Sequence, residues 1–344
     1  MTKRIEFIDA LRGFTMILVV FFHVGVGCWH IDGLGVSFHD FFLQFRMPMF
    51  FFISGFVMYK ANVKWNASYI LQFLRRKFPV QIVSTLIFFT VFVYINKMNY
   101  VDTLFLTKKG GYWFTYTLFE YYIIYALLRF IFRKHEDLIV LFSGLFFYII
   151  TWDPLYRIIP LSPAVKSFLG IPQWTFFFFF CLGTLTKKHY TKITSLLDGK
   201  WIMTIAILIY FMFNVFKEDL QIKGVVFNIL VSCTGIICLF QFFRKYELAF
   251  RKEKKIGYVL QYIGKRTLDI YLIHFFLIPK GLSFIHVFTE HPMPVIEATV
   301  SLLLSLVIIA FSLIIGNIIR LSPIFSHYLF GTKMESKEKV SLRN

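Results

Sequence analysis

The chain has 344 residues, of which 58% are hydrophobic, 20% are aromatic and only 16% are charged. Soluble domains carry roughly a quarter charged residues, so the composition excludes a soluble fold, a disordered chain, a coiled coil and a disulfide scaffold. A formal net charge of +18 would suggest nucleic acid for a soluble protein, but here it fits basic loops that orient membrane helices. We therefore expect a polytopic α-helical membrane protein without a nucleic-acid partner.

Ten apolar stretches follow one another, each near the length that a helix needs to cross about 30 Å of hydrocarbon. Because these stretches are continuous rather than alternating, they disfavour a transmembrane barrel. The fold class predicted is an all-α transmembrane bundle of about ten helices, in which the fifth and seventh are short and polar residues interrupt the ninth. The predicted helices cover residues 8–28, 39–59, 78–96, 112–132, 136–151, 168–186, 200–216, 222–243, 256–279 and 295–319.

The distribution of Lys and Arg predicts the orientation of the bundle. With the N-terminus in the cytoplasm, 27 of these residues lie on the cytoplasmic side and 8 on the outer side; Arg12 and Arg46, inside helices, complete the total of 37. This asymmetry predicts that both termini are cytoplasmic. We expect one transmembrane domain over residues 1–330 and a polar cytoplasmic tail over residues 331–344.

The first helix carries three ionisable residues, Asp9, Arg12 and His23. Such residues are costly inside a membrane and are therefore functional candidates. Arg12 and His23 are eleven residues apart, so they share a helix face and lie about 16 Å apart along the axis. Asp9 is close enough to pair with Arg12, and His23 in its apolar surroundings suits a neutral general base. The alternatives are an interfacial ion pair and a structural histidine between two helices.

The second and third helices supply further candidates. Arg46 lies inside the second helix and needs a partner or a water-filled cavity, and Pro48 bends that helix. Ser54 and Gly55 permit close approach of another backbone, and simple helix packing would also explain them. Three consecutive cations at the entry to the third helix suit either a phosphate clamp or an ordinary positive-inside anchor: Arg75, Arg76 and Lys77.

Two later helices also contain ionisable groups. Glu120 is the only acid in the fourth apolar run and needs a partner. In the ninth helix Asp269 can pair with Arg266, and Tyr271 and His274 face the same way. His274 suits either a second catalytic or acceptor-binding group or a helix–helix hydrogen bond. Metal-binding, Walker A, dinucleotide-binding and GxSxG motifs do not occur in the sequence, so we expect no metal cofactor.

Together these segments resemble the membrane acyltransferase-3 family. The opening IDALRGFTMILVVFFHV is similar to the family's Asp-Ala-x-Arg-Gly start, with an Arg and a His separated by ten residues, here Arg12 and His23. The segment FRMPMFFFISGF resembles the second-helix signature, and LRRKFP, YWF and TLDIYLIHF are similar to later motifs in the same order. Two departures are that Arg46 stands where many members carry His, and that the third-helix motif is compressed.

The resemblance implies transfer of an acyl group, most often acetyl, from coenzyme A to a carbohydrate hydroxyl at the bacterial inner membrane. It implies that His23 is the catalytic base, and we include Asp9 among the catalytic residues. Donor contacts are expected from Arg12, Arg75, Arg76 and Lys77. Substrate or oxyanion contacts are expected from Arg46, Ser54, Glu120, Tyr271 and His274. The predicted donor is acetyl-CoA or another acyl-CoA, and the acceptor is a cell-surface carbohydrate or its lipid-linked precursor.

Two other function classes fit the same residues. A transporter or flippase for lipid-linked sugars would use the buried polar groups to pass a glycan across the membrane. A structural subunit of a polysaccharide synthase would tolerate the loss of His23. Consumption of acyl-CoA distinguishes the transferase from the flippase. The expected partners are the lipid bilayer, acyl-CoA and a carbohydrate acceptor, for a monomer or an oligomer.

Overall fold

The computed structural model describes residues 5–29, 38–132, 134–215, 224–279 and 293–331. These residues are mainly helical and contain no strand, and several of the helices are long and apolar. This confirms the predicted fold class, a polytopic all-α bundle, whereas the cytoplasmic location of the termini stays a prediction. Apart from Gly331, the predicted tail lies outside the described residues.

The helices are numbered in chain order. The first half comprises α1 (Glu6–Trp29), α2 (Phe38–Met58), α3 (Ala67–Phe78), α4 (Ser84–Ile95), α5 (Tyr100–Phe105), α6 (Trp113–Ile131), α7 (Glu136–Ile150), α8 (Leu155–Ile158) and α9 (Pro163–Phe168). The second half comprises α10 (Phe177–Lys188), α11 (Tyr190–Leu197), α12 (Ile202–Val215), α13 (Val225–Lys245), α14 (Lys255–Lys265), α15 (Thr267–Leu277), α16 (Pro294–Ile319) and α17 (Pro323–Phe330). A π-helical turn (Pro79–Val83) joins α3 to α4, and 3-10 turns (Lys109–Gly111, Ile171–Phe176) precede α6 and α10.

Each predicted apolar stretch coincides with a helix or with consecutive helical segments. The predicted ninth helix is two helices, α14 and α15, because the backbone of Arg266 between them is not helical (φ −115°, ψ 19°). Helices α11 and α12 together have the length and composition of a membrane span but are bent by 74° at their junction. Four continuous helical segments of the described residues are long and apolar enough to span a membrane: Glu6–Cys28, Ala67–Ile95, Val225–Lys245 and Pro294–Ile319.

Glycines bring two pairs of helices into backbone contact. A Cβ added to Gly13 of α1 would lie 2.0 Å from a carbonyl oxygen of α14, and one added to Gly264 of α14 would lie 1.9 Å from a carbonyl oxygen of α1. Gly55 of α2 and Gly183 of α10 approach each other's helices in the same reciprocal way, each at 2.0 Å. These crossings hold α1 against α14 and α2 against α10. Gly55 therefore has the packing role that the sequence predicts.

Pro48 lies inside α2 and leaves a carbonyl oxygen one turn earlier without its usual donor. That oxygen belongs to Gln44. The hydroxyl of Ser232 in α13 donates a hydrogen bond to it over 2.7 Å. This hydrogen bond satisfies a carbonyl that Pro48 leaves without its helical donor. The contact holds α13 beside the half of α2 that carries Arg46.

A buried ion pair joins α15 to the end of α16. Asp269 is 1% exposed, and Nε and Nη2 of Arg320 donate to its two carboxylate oxygens over 2.8 and 2.7 Å. Arg266 also reaches this carboxylate at 3.4 Å, which confirms the predicted Asp269–Arg266 pair. Gly316 makes room for the pair, since a Cβ there would lie 3.2 Å from the Asp269 side chain. Paired planar contacts of this kind are the strongest that a carboxylate makes with arginine.

Candidate active site

A cavity of about 840 Å³ lies inside the bundle, between α1, α2, α6, α13 and α15. Its wall is largely aromatic and aliphatic, with a small number of polar groups, as is usual for a small-molecule site. The structure places five of the predicted site residues on this wall. These are Arg12, His23, Arg46, Ser54 and Tyr271.

A second cavity, of about 270 Å³, lies between the ends of α2 and α3 on the side predicted to be cytoplasmic. Arg12 and Ser54 line both cavities and therefore lie between them. Lys77 lines the second cavity, where its Nζ lies 5.1 Å from the ring centroid of Tyr122. The two other cations predicted to meet the donor, Arg75 and Arg76, are exposed on α3 and line neither cavity.

The His23 ring lies on the wall of the larger cavity and packs against α15. Its centroid is 5.3 Å from that of His274 and 4.8 Å from that of Phe275. Arg12 lies on the same wall, in line with its spacing of eleven residues along α1. A cation and an imidazole on α1 thus face one cavity, with Arg12 nearer the second cavity.

His274 lies behind His23 and does not line the cavity. The ring is fully buried, and its Nδ1 is 2.9 Å from the carbonyl oxygen of Ile270. Because a carbonyl oxygen only accepts, Nδ1 donates its proton, and in the neutral ring Nε2 then carries a lone pair. This Nε2 is buried without a hydrogen-bond partner. His274 therefore offers an unused acceptor beside the ring of His23.

Arg46 reaches the larger cavity from α2. Its side chain is buried, and its guanidinium carbon lies 3.7 Å from the ring centroid of Phe22. Nε and Nη1 are buried without a hydrogen-bond partner. The sequence predicts that this residue needs either a partner or a cavity, and the structure supplies a cavity together with a cation–π contact.

The hydroxyl groups of Tyr271 and Ser54 are already engaged in the helices. Tyr271 donates to the carbonyl oxygen of Gly111 over 3.0 Å and accepts from the N–H of Phe114 over 3.1 Å. It thereby caps the first turn of α6, whose N–H groups have no partner within the helix. Ser54 donates to the carbonyl oxygen of Phe50 over 2.8 Å. The oxyanion role of these residues stays a prediction.

Asp9 and Glu120 lie outside both cavities. Asp9 is buried where α1 crosses α14. Glu120 lies in α6 beside Gly170, where an added Cβ would be 2.6 Å from its carboxylate. The Glu120 charge acts on Lys109, which donates from Nζ to the Ser167 carbonyl oxygen over 2.7 Å. Burial lowers the pKa of Lys109 to about 8, and the Glu120 carboxylate opposes that shift.

The family of the chain follows from comparison with known proteins. The family model described as an acyltransferase domain matches residues 5–317. The chain belongs to membrane acyltransferase family 3. Neither the curated proteins nor the solved structures give a match. The family assignment confirms the resemblance found in the motifs, and it makes the protein a membrane-embedded acyltransferase that takes an acyl donor and an acceptor.

The acyltransferase cavity also contains neutral polar residues that the sequence analysis did not select. Gln81 and Gln173 each have a buried Oε1 without a hydrogen-bond partner, and both line the larger cavity with Asn228. Gln81 lies within the π-helical turn Pro79–Val83, where a lone polar residue in an apolar run is a usable signal. Gln173 and Asn228 carry no comparable signal, because they reach the cavity from separate segments. In the described residues, no group of three or more His, Cys, Asp or Glu could hold a metal ion.

Proposed function

We propose that this acyltransferase transfers an acyl group, acetyl in the simplest case, from acyl-CoA to a hydroxyl group of a cell-surface carbohydrate or its lipid-linked precursor. One observation carries the proposal. Two cavities share Arg12 and Ser54 on their walls, and His23 lies on the wall of the larger one. Donor and acceptor would then occupy different cavities, and the acyl-bearing arm would extend from Arg12 along α1 towards His23, a distance of about 16 Å.

The smaller cavity suits the donor. Lys60 and Lys77 supply positive charge there, and Trp65 and Tyr69 supply aromatic faces. Coenzyme A carries several phosphate charges and an adenine ring, which such groups bind by charge-assisted hydrogen bonds and stacking. This cavity lies on the side predicted to be cytoplasmic, from which coenzyme A would arrive. The acyl-bearing arm would then pass Arg12 to reach the larger cavity.

The larger cavity suits an acceptor with several hydroxyl groups. The unpartnered Oε1 atoms of Gln81 and Gln173 can accept hydrogen bonds from hydroxyl groups, and Asn228 can donate as well as accept. Trp113 presents an aromatic ring to the same space. Neutral amides combined with an aromatic face provide the polar and apolar contacts that a sugar ring requires.

The chemistry follows from the position of His23. Its neutral imidazole removes the proton from the acceptor hydroxyl as the oxygen attacks the thioester carbonyl. A new C–O bond forms, the C–S bond breaks, and the departing thiolate takes the proton back from the imidazolium. His274, whose ring packs against that of His23, would position the imidazole. An acyl-histidine intermediate is the alternative route from the same residues.

The proposal is tested by following the acyl group. Inverted membrane vesicles that contain the protein would receive acetyl-CoA labelled in the acetyl group, and the glycan fraction would be analysed by mass spectrometry. We expect label in the glycan, with one free coenzyme A released for each acyl group transferred. Glycan that crosses the membrane without label, and without consumption of acetyl-CoA, would establish the flippase alternative and overturn the proposal.

A further inference from the structure

The charged side chains described on the wall of the larger cavity are all positive. Arg12, Arg46 and Lys108 line it, and of the described residues on its wall none is an aspartate or a glutamate. A largely apolar wall strengthens the field of such charges, because they are screened less than in bulk water. The cavity therefore favours a ligand that brings negative charge with it.

Arg46 is a buried cation with N–H groups for which the described residues provide no hydrogen-bond acceptor. The side chain is only 6% exposed, and neither Nε nor Nη1 has a hydrogen-bond partner. The Phe22 ring under the guanidinium offers attraction to the charge but no lone pair for these N–H groups. Leaving a buried charged donor unpaired is more costly than leaving a neutral one. A ligand that accepts hydrogen bonds would remove this cost, and the planar guanidinium matches a carboxylate or a phosphate in shape.

The position of Arg46 relates it to the reacting hydroxyl group. Its guanidinium carbon is 3.7 Å from the Phe22 ring centroid, and that ring is 5.4 Å from the ring of His23, the next residue in α1. One substituted sugar residue is large enough to contact both Arg46 and His23. The cations assigned above to the phosphates of the donor line the other cavity, so Arg46 is available for a different anion.

We propose that the acceptor of this acyltransferase carries an anionic group, a carboxylate or a phosphate, and that Arg46 binds this group while the hydroxyl group to be acylated lies at His23. The inference rests on the proposed function, because it specifies the acceptor of that reaction. It predicts an acidic sugar or a phosphorylated carrier as the acceptor, in preference to a neutral glycan.

The first test measures binding without catalysis. The purified full-length protein in detergent would be heated with glucuronate, glucose 1-phosphate or glucose, and its Tm recorded. We expect both anions to raise the Tm of the wild type more than glucose does. In Arg46→Gln the concentration of anion needed should increase at least tenfold, with the glucose effect unchanged. Equal responses in the two proteins, or no preference for anions in the wild type, would overturn the inference.

Two further variants make the comparison interpretable. Arg157→Gln removes an exposed arginine on the predicted outer side. Arg157 is 78% exposed, pairs with Asp153 and lines neither cavity, so this variant should respond as the wild type does. Arg46→Lys retains the charge but loses the planar fork, and it replaces Arg46→Gln if that variant does not fold. In Arg46→Lys we expect weaker binding of both anions than in the wild type. Unchanged binding in Arg46→Lys would contradict recognition by the guanidinium.

The second test asks which substrate carries the anion. Acetyl-CoA and succinyl-CoA differ by a carboxylate on the acyl group, and both would be compared by the same Tm measurement. We expect Arg46→Gln to affect these two donors equally. Selective loss of the succinyl-CoA response would assign the anion to the donor and overturn the inference. If Arg46 binds anions as described but acetyl-CoA is not consumed with any acceptor, the proposed function fails while the anion site stands.

Discussion

The imidazole rings of His23 and His274 lie with their centroids 5.3 Å apart and their planes tilted by 42°. Only His23 of the two lines a described cavity, while His274 is fully buried behind it. The hydrogen bond from Nδ1 of His274 to the carbonyl oxygen of Ile270 fixes its tautomer and leaves Nε2 as an acceptor. We therefore propose that the second histidine positions the first.

Replacing His274 tests this arrangement. His274→Phe keeps an aromatic ring but removes the acceptor, so kcat for acyl transfer should fall roughly 10-fold to 100-fold, as for other groups that orient a reactive histidine. The KM for acyl-CoA should not change, since His274 lines neither described cavity. Steady-state kinetics on purified protein separates these parameters. An equal fall in activity and in the amount of folded protein would indicate a packing role only.

Arg12 lies between the two cavities, where the acyl-bearing arm of the donor would pass. Arg12→Ala should raise the KM for acyl-CoA about tenfold, corresponding to the loss of one charge-assisted contact. The KM for the acceptor should change less. Donor binding can be measured directly by calorimetry with a non-hydrolysable acyl-CoA analogue. An unchanged donor affinity would remove Arg12 from the donor site.

Lys77 and Arg76 are neighbours in α3 that differ in where they lie. Lys77 lines the smaller cavity, whereas Arg76 is exposed and its Nε donates to the Gln72 carbonyl oxygen over 3.2 Å. Lys77→Gln should therefore weaken donor binding several-fold, with an effect that decreases at high salt. Arg76→Gln is the matched control and should bind the donor as the wild type does. The reverse order of effects would favour the contacts implied by the family motif over those implied by the cavity.

The buried Asp269–Arg320 pair should matter for stability rather than for chemistry. Asp269→Asn leaves the guanidinium of Arg320 without its charged partner, which for a buried pair costs about 3–5 kcal/mol. Asp153→Asn breaks an exposed pair with Arg157 and should cost less than about 1 kcal/mol. Thermal unfolding of the two purified variants measures the difference. Similar Tm values for both would show that the buried pair is not important for stability.

The length of apolar segments and the spacing of residues along a helix predicted the features of the structure that depend on a single helix. The ten apolar stretches coincide with helices because the length and polarity of a segment decide whether it can lie in hydrocarbon. Arg12 and His23 reach one cavity wall because eleven residues complete about three turns. The ordered motifs also identified the family, which the family comparison confirmed.

Contacts between helices that are distant in the sequence could not be predicted in this way. His23 and His274 meet only because α1 and α15 pack together, and no periodicity links residues so far apart. The structure also pairs Arg320 with Asp269, which lies 51 residues earlier in the chain. Three consecutive cations point in directions about 100° apart on a helix, so at most some of them face one cavity. Lys77 could be identified as the cation that faces the cavity only from the positions of the neighbouring helices.

The central claim is that His23 is the base that activates the acceptor, and His23→Asn tests it most directly. The matched control is His135→Asn, at an exposed residue with φ of 54°, a conformation that asparagine adopts readily. Both variants should reach the membrane in normal amounts and bind acyl-CoA. Transfer of labelled acetyl groups to glycan should fall at least about 100-fold in His23→Asn and remain at the wild-type rate in His135→Asn. Wild-type transfer by a folded His23→Asn protein would contradict the account.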